Sequence, residues 1–113
     1  MSIRTRAVAI GAASVAALAM TAAPALAQKT ITVTTPKGSP FAFTGMPKTL
    51  KQGTYTFKYV NNSGIGHNLR VGKTATPVFS SGSKTITVKL TKGTVAYECV
   101  PHKTMMKGTI KVT

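Results

Sequence analysis

The chain has 113 residues, with 15 Lys and Arg against a single acidic residue, and 42% of it is hydrophobic. That length makes one domain at most. One cysteine and two histidines rule out an internal disulfide and leave too few donors for a multinuclear metal enzyme; a structural zinc site would want more thiolates or imidazoles.

The first segment reads as a targeting signal. Ser2-Ile3-Arg4-Thr5-Arg6 is short and basic, an apolar run extends from Ala7 to about Met20, and Ala25-Leu26-Ala27 offers small residues to a signal peptidase. Residues 1–27 are therefore expected to be a cleaved signal peptide and residues 28–113 a single domain exported to the periplasm or the cell surface. The rival, an uncleaved anchor, suffers from Pro24 and from a short, alanine-rich apolar run. The remaining domain keeps twelve lysines and Arg70 against Glu98 alone. Such a charge implies partners with acidic docking surfaces, or association with an anionic envelope surface. Nucleic acid is not expected, because the positive charges are scattered lysines without an arginine cluster. The protein is expected to be a monomer.

After the signal, Thr30-Ile31-Thr32-Val33-Thr34 alternates apolar and polar residues as a half-buried strand does. Pro36-Lys37-Gly38-Ser39-Pro40 breaks it, and Phe41-Ala42-Phe43 is expected to begin another short extended piece. Gly45-Met46-Pro47 turns again, and Lys48–Leu50 leads to a turn at Gln52-Gly53. The clearest strand follows, with Tyr55, Phe57 and Tyr59 on one face and Thr54, Thr56 and Lys58 on the other. Asn61–Gly66 is a loop of turn formers that delivers His67 to the start of a strand through Val71. Beyond a looser region from Gly72 to Gly82, Lys84–Leu90 alternates with Ile86, Val88 and Leu90 inward. Thr94–Cys99 places Val95, Tyr97 and Cys99 on one face, and Thr109–Thr113 closes the chain as a strand. No segment has helical apolar spacing. Seven to eight short strands with turns between them predict an all-β sandwich.

Within that scaffold the scarce donors gather in one place. Cys99, His102, Met105 and Met106 share a short stretch near the end, and the second imidazole, His67, opens a strand. In a sandwich of antiparallel strands, the start of one strand and the end of its neighbour lie at one edge. Two imidazoles, a thiolate and a thioether form a soft to borderline set suited to copper, and a bare thiol in an oxidising compartment is a liability that metal ligation removes. Met105 and Met106 both qualify as the thioether. Strand parity places Met106 on the inward side with Ile110 and Val112, and Met105 away from it. Cys99 and His102 also pair a nucleophile with a base, but no third polar residue completes an enzyme site, and an enzyme is not expected.

Gly66-His67-Asn68-Leu69 and Tyr97-Glu98-Cys99-Val100-Pro101-His102 resemble the two ligand motifs of the cupredoxins, the blue copper proteins of the plastocyanin/azurin superfamily. The Cys-x-Pro-His form is similar to plastocyanin, pseudoazurin and amicyanin. The spacing of His102 to Met106, followed by Lys107-Gly108-Thr109, resembles azurin. The resemblance implies a Greek-key β-sandwich holding one copper ion, cycling between Cu(I) and Cu(II), on His67, Cys99, His102 and Met106. It also implies that Asn68 hydrogen-bonds across to the cysteine loop, and that the Gly66 carbonyl lies opposite Met106. The function implied is single-electron transfer between redox partner proteins through the exposed edge of His102, framed by Met105, Pro40 and Ile65 with Lys103 nearby; an exported copper carrier is the alternative. Glu98 points away from Cys99 and is expected to be structural or paired with a lysine.

Overall fold

The computed structural model describes residues 29–113; the expected signal peptide, residues 1–27, lies outside the described residues. Strands β1 (Lys29–Thr35), β2 (Thr49–Leu50), β3 (Gly53–Asn61), β4 (Arg70–Val71), β5 (Thr74–Ala75), β6 (Gly82–Leu90), β7 (Gly93–Glu98) and β8 (Lys107–Val112) form the body. They assemble as two sheets, ordered β1-β3-β6 and β2-β8-β7-β4-β5. This is the β-sandwich that the alternation predicts.

The longest pairing joins β3 to β6 antiparallel, with Phe57 opposite Ile86 and Tyr55 opposite Val88. The period-2 pattern decides which face goes inward: Tyr55, Phe57 and Tyr59 are buried while Thr54 and Lys58 are exposed. From the second sheet Ile110 and Val112 close on the same core with Leu69 and Val71. Full burial of a large apolar side chain contributes about 1.5–3 kcal/mol, so this shared interior holds the sheets face to face. Two pairings depart from a purely antiparallel sandwich. β1 runs parallel to β3 and β2 parallel to β8, because the long β1–β2 connection crosses from one sheet to the other before the chain reverses.

That connection also corrects one expectation. Phe41-Ala42-Phe43 is not a strand: Ser39 donates to the Pro36 carbonyl and Ala42 to the Ser39 carbonyl, so the segment is coiled into turns. Only Thr44 makes a bridge, to Thr34. The two phenylalanines consequently diverge. Phe43 packs edge-on against both Tyr59 and Tyr97, whereas Phe41 stays 39% exposed.

Two features of this core generate tests. Tyr97 lies opposite Gly108, and a Cβ at Gly108 would overlap the Tyr97 ring. Gly108→Ala is therefore expected to destabilise the fold by about 1–3 kcal/mol through overpacking, read as a lower urea midpoint. Tyr59 is fully buried, with its hydroxyl 2.6 Å from Thr35 Oγ1. Burial pushes its pKa up to about 12, partly offset by the Thr35 hydrogen bond and reinforced by Cys99. Between pH 10 and 12 the unfolded phenol loses its proton while the folded one keeps it, so stability falls as pH rises through that window. Equilibrium unfolding at pH 9 and pH 11 checks the sign; Tyr59→Phe should flatten the slope.

Candidate metal centre

The site sits where β7 ends and β4 begins. β4 and β7 are antiparallel, with Arg70 opposite Glu98 and Val71 opposite Tyr97. The residues just before β4 and just after β7 therefore meet at one edge of the sandwich. His67 is not inside the strand expected from His67 to Val71, since β4 is only Arg70–Val71. It is held instead by an isolated bridge to Phe79, with His67 donating to the Phe79 carbonyl at 3.1 Å and Phe79 returning a bond of 3.0 Å.

Cys99 lies one residue past β7 and opens a short 3-10 turn, Val100–His102, with Pro101 near its start. Proline suits that place because its fixed φ fits a helical first turn and its missing N–H would have no partner there. His102 donates its backbone N–H to the Cys99 carbonyl, Met105 and Met106 donate to the His102 carbonyl, and Cys99 donates to the Met106 carbonyl. The loop from 99 to 106 is thus closed on itself.

Three donor atoms converge. His67 Nδ1 and His102 Nδ1 are 3.1 Å apart, and Cys99 Sγ lies 3.6 Å from each of them. The point equidistant from the corners of that triangle is about 2 Å from every donor, the length of a metal–imidazole bond. Protons on the rings or the thiol can bridge these separations, and the same three atoms would hold a metal ion that takes imidazole and thiolate donors. His67 and Cys99 are fully buried and Met106 is 1% exposed, against 59% for Met105. Met106 stands one residue before β8 and is buried like Ile110 and Val112, the side that strand parity predicts for it.

The state of the imidazole fits as well. Burial pushes the His67 pKa below its ordinary value, the Pro40 carbonyl opposes this in part, and the facing His102 ring lowers it further. The ring is neutral at neutral pH, as a metal ligand must be. With Nδ1 turned to the metal the ring proton belongs on Nε2, which is buried, with the Pro40 carbonyl beside the ring.

Polar groups around the donors fix the geometry. Val100 N–H donates to Asn68 Oδ1 at 2.8 Å, and Asn68 Nδ2 donates to the Thr76 carbonyl at 3.2 Å. The expected link between the two ligand segments is present. Sequence reasoning passed over Asn61. Its buried side chain donates to the carbonyls of Ile65 and Phe79 and accepts from Ser63 N–H and Oγ, so it ties the loop before His67 to the residue that pairs with His67. An asparagine at a strand end followed by Asn-Ser-Gly was the available signal. Phe41 was also missed. Glu98 stands across from Arg70 on β4 and from Lys107 on β8, and it pairs with Arg70 at 3.8 Å rather than with the lysine.

A two-sheet sandwich carrying a buried Cys-His pair, a second histidine and an inward methionine at one end is the form of a blue copper protein, and one copper ion is the cofactor to which this donor set is matched. The family described as copper binding proteins, plastocyanin/azurin family, matches residues 29–113, and this chain belongs to it. Solved structures agree on the fold. Auracyanin B is similar at 21% identity and a TM-score of 0.61, over 75% of this chain and 88% of its own. Auracyanin A, a blue copper protein of the green thermophilic photosynthetic bacterium Chloroflexus aurantiacus, matches at 23% identity and 0.57, over 74% and 98%. A Cu(I) form of an amicyanin variant matches at 21% and 0.57, over 80% and 89%. A search of curated protein sequences finds no match.

Two outcomes test this site. Asn68→Ala removes the acceptor for Val100 N–H and should cost about 1–3 kcal/mol of stability, seen as a lower melting temperature and faster extraction of copper by a chelator. In the metal-free protein, the depressed His67 pKa means that the unfolded ring takes up a proton the folded ring refuses. Stability should fall as pH drops through the ordinary imidazole value near 6.5, and His67→Gln should weaken that acid dependence.

Proposed function

We propose that this protein is an exported carrier of single electrons, with His67 Nδ1, Cys99 Sγ and His102 Nδ1 as the close ligands of copper and Met106 as a weaker fourth. The observation that carries the reading is the donor triangle itself: sides of 3.1, 3.6 and 3.6 Å on residues of which only His102 reaches the surface. Copper bound there supplies a one-electron couple, Cu(II)/Cu(I). The chain's part is to hold the donors still. Backbone bonds at both flanks of His67, the closed 99–106 loop and the Asn68 bridge resist the ligand movement that a change of oxidation state would otherwise drive. Little movement means little reorganisation and fast transfer. The half-exposed His102 ring is the route for the electron, and Phe41, Val100 and Met105, all exposed, offer an apolar rim for a docked partner.

Every lysine of the described chain is exposed, which supports encounter with redox partners that present acidic surfaces in the periplasm or at the cell surface. Association with such a partner should slow by about tenfold or more between low and physiological ionic strength; rates indifferent to salt would remove the charge from this role. Addition of Cu(II) to residues 28–113 should give an intense visible thiolate-to-copper band, lost in Cys99→Ser. Met106→Leu should raise the reduction potential, as loss of a weak axial donor does, while Met105→Leu should leave it near the native value. Slow electron self-exchange together with rapid delivery of copper to an acceptor would point instead to a copper carrier.

A further inference from the structure

The Phe41 side chain belongs to neither sheet and to no part of the core. Its ring stands at 86° to the His67 ring with centroids 5.7 Å apart, and at 72° to the His102 ring with centroids 5.2 Å apart. The two imidazoles are themselves 4.7 Å apart, centroid to centroid. One aromatic ring therefore touches both nitrogen-bearing side chains of the centre at once. It is also the only aromatic side chain of the described residues that is both exposed and packed on the site. Phe41 is 39% exposed, so most of its surface is covered, and the two imidazoles are the aromatic rings it packs on.

We infer that Phe41 is a shutter and positioning residue for the metal centre: it fills the solvent side of the gap between the two imidazoles, fixes both rings and keeps small exogenous ligands from the ion. This rests on the copper reading above and adds to it what makes the centre a closed electron carrier rather than an open, ligand-binding copper. The physical argument is that the other proposed ligands are shielded: His67, Cys99 and Met106 are buried, and the loop 99–106 is drawn together by its own backbone bonds. The half-exposed His102 ring is the remaining entrance, and Phe41 leans on it. Edge-to-face contacts have a directional preference, so the ring restrains rotation of both imidazoles as well as filling space. The turn at Pro36–Ala42 that presents it is held by two backbone bonds, which keeps the shutter in place at little cost to the core.

Phe41→Ala tests this, with Phe41→Tyr as the conservative control; the residue is a partly exposed turn position, and thermal melts confirm that both variants fold. Two readouts are taken on residues 28–113. In the Cu(II) form, azide is titrated and followed by visible and EPR spectra. In the metal-free form, the rate of Cys99 alkylation by iodoacetamide is measured. Expected are azide-induced spectral changes and alkylation raised by about tenfold, the scale of two aromatic edge contacts, in the Ala variant, while the Tyr variant matches the native protein. The proposal requires both changes: an Ala variant that excludes azide or protects Cys99 as the native protein does overturns it, and so does a Tyr variant as open as Ala. If the native protein gives no thiolate–copper band, the copper reading fails on its own, and the alkylation rates of the metal-free proteins still decide whether Phe41 closes the site.

Discussion

The whole centre depends on one short piece of backbone pairing. Arg70 opposite Glu98 and Val71 opposite Tyr97 are the only two registered positions between β4 and β7, yet they bring together side chains 32 residues apart in sequence. A slip of one residue would turn every following side chain to the other face. Cys99 would then point outward, away from His67, and the donor triangle would not exist. The register is safe because so much else agrees with it: Val71 and Leu69 are buried in the shared core, Arg70 meets Glu98 across the strands, and Asn68 receives Val100 N–H.

Around that pairing the molecule divides its labour. The core at mid-height, built from Phe57, Tyr59, Val33, Ile86 and Ile110, supplies stability through burial alone and carries no chemistry. The end of the sandwich collects polar atoms that would be expensive to bury singly: two imidazoles, a thiol, and the amides of Asn61 and Asn68. The two asparagines make their bonds to backbone groups of the ligand loops, so the groups that need partners and the loops that need restraint satisfy each other. The ligand atoms have no such partners apart from one another, which is the state a metal site should be in before its ion arrives.

The aromatic residues show how one residue type serves different ends. Phe43, Tyr59 and Phe79 form a chain of edge-on contacts inside the sandwich, holding the two sheets together beneath the site. Phe41, two residues before Phe43, lies on the outside of the same region and packs edge-on against the imidazoles. A turn, rather than the strand that the Phe-Ala-Phe alternation predicts, separates them: a strand would have put both on one face, and the turn sends one to the core and one to the centre.

Much of this was legible in the sequence, for a definite reason. Alternation with period two is a local property, so β1, β3, β6, β7 and β8 and the inward faces of Tyr55, Phe57, Ile86 and Met106 could be read from the letters. The donors were legible because they are scarce: with one cysteine and two histidines, few constellations are possible. What the sequence could not decide is anything set by contacts between distant segments. The parallel pairing of β1 with β3 and of β2 with β8 depends on where a long connection crosses the sandwich. The neighbours of Glu98 depend on two registers, which set Arg70 on one side of it and Lys107 on the other, and it is the arginine that reaches it. The roles of Asn61 and Phe41 depend on which loops come to rest beside His67, and such proximity is a product of packing the two sheets, a global balance of burial that no window of neighbouring residues contains.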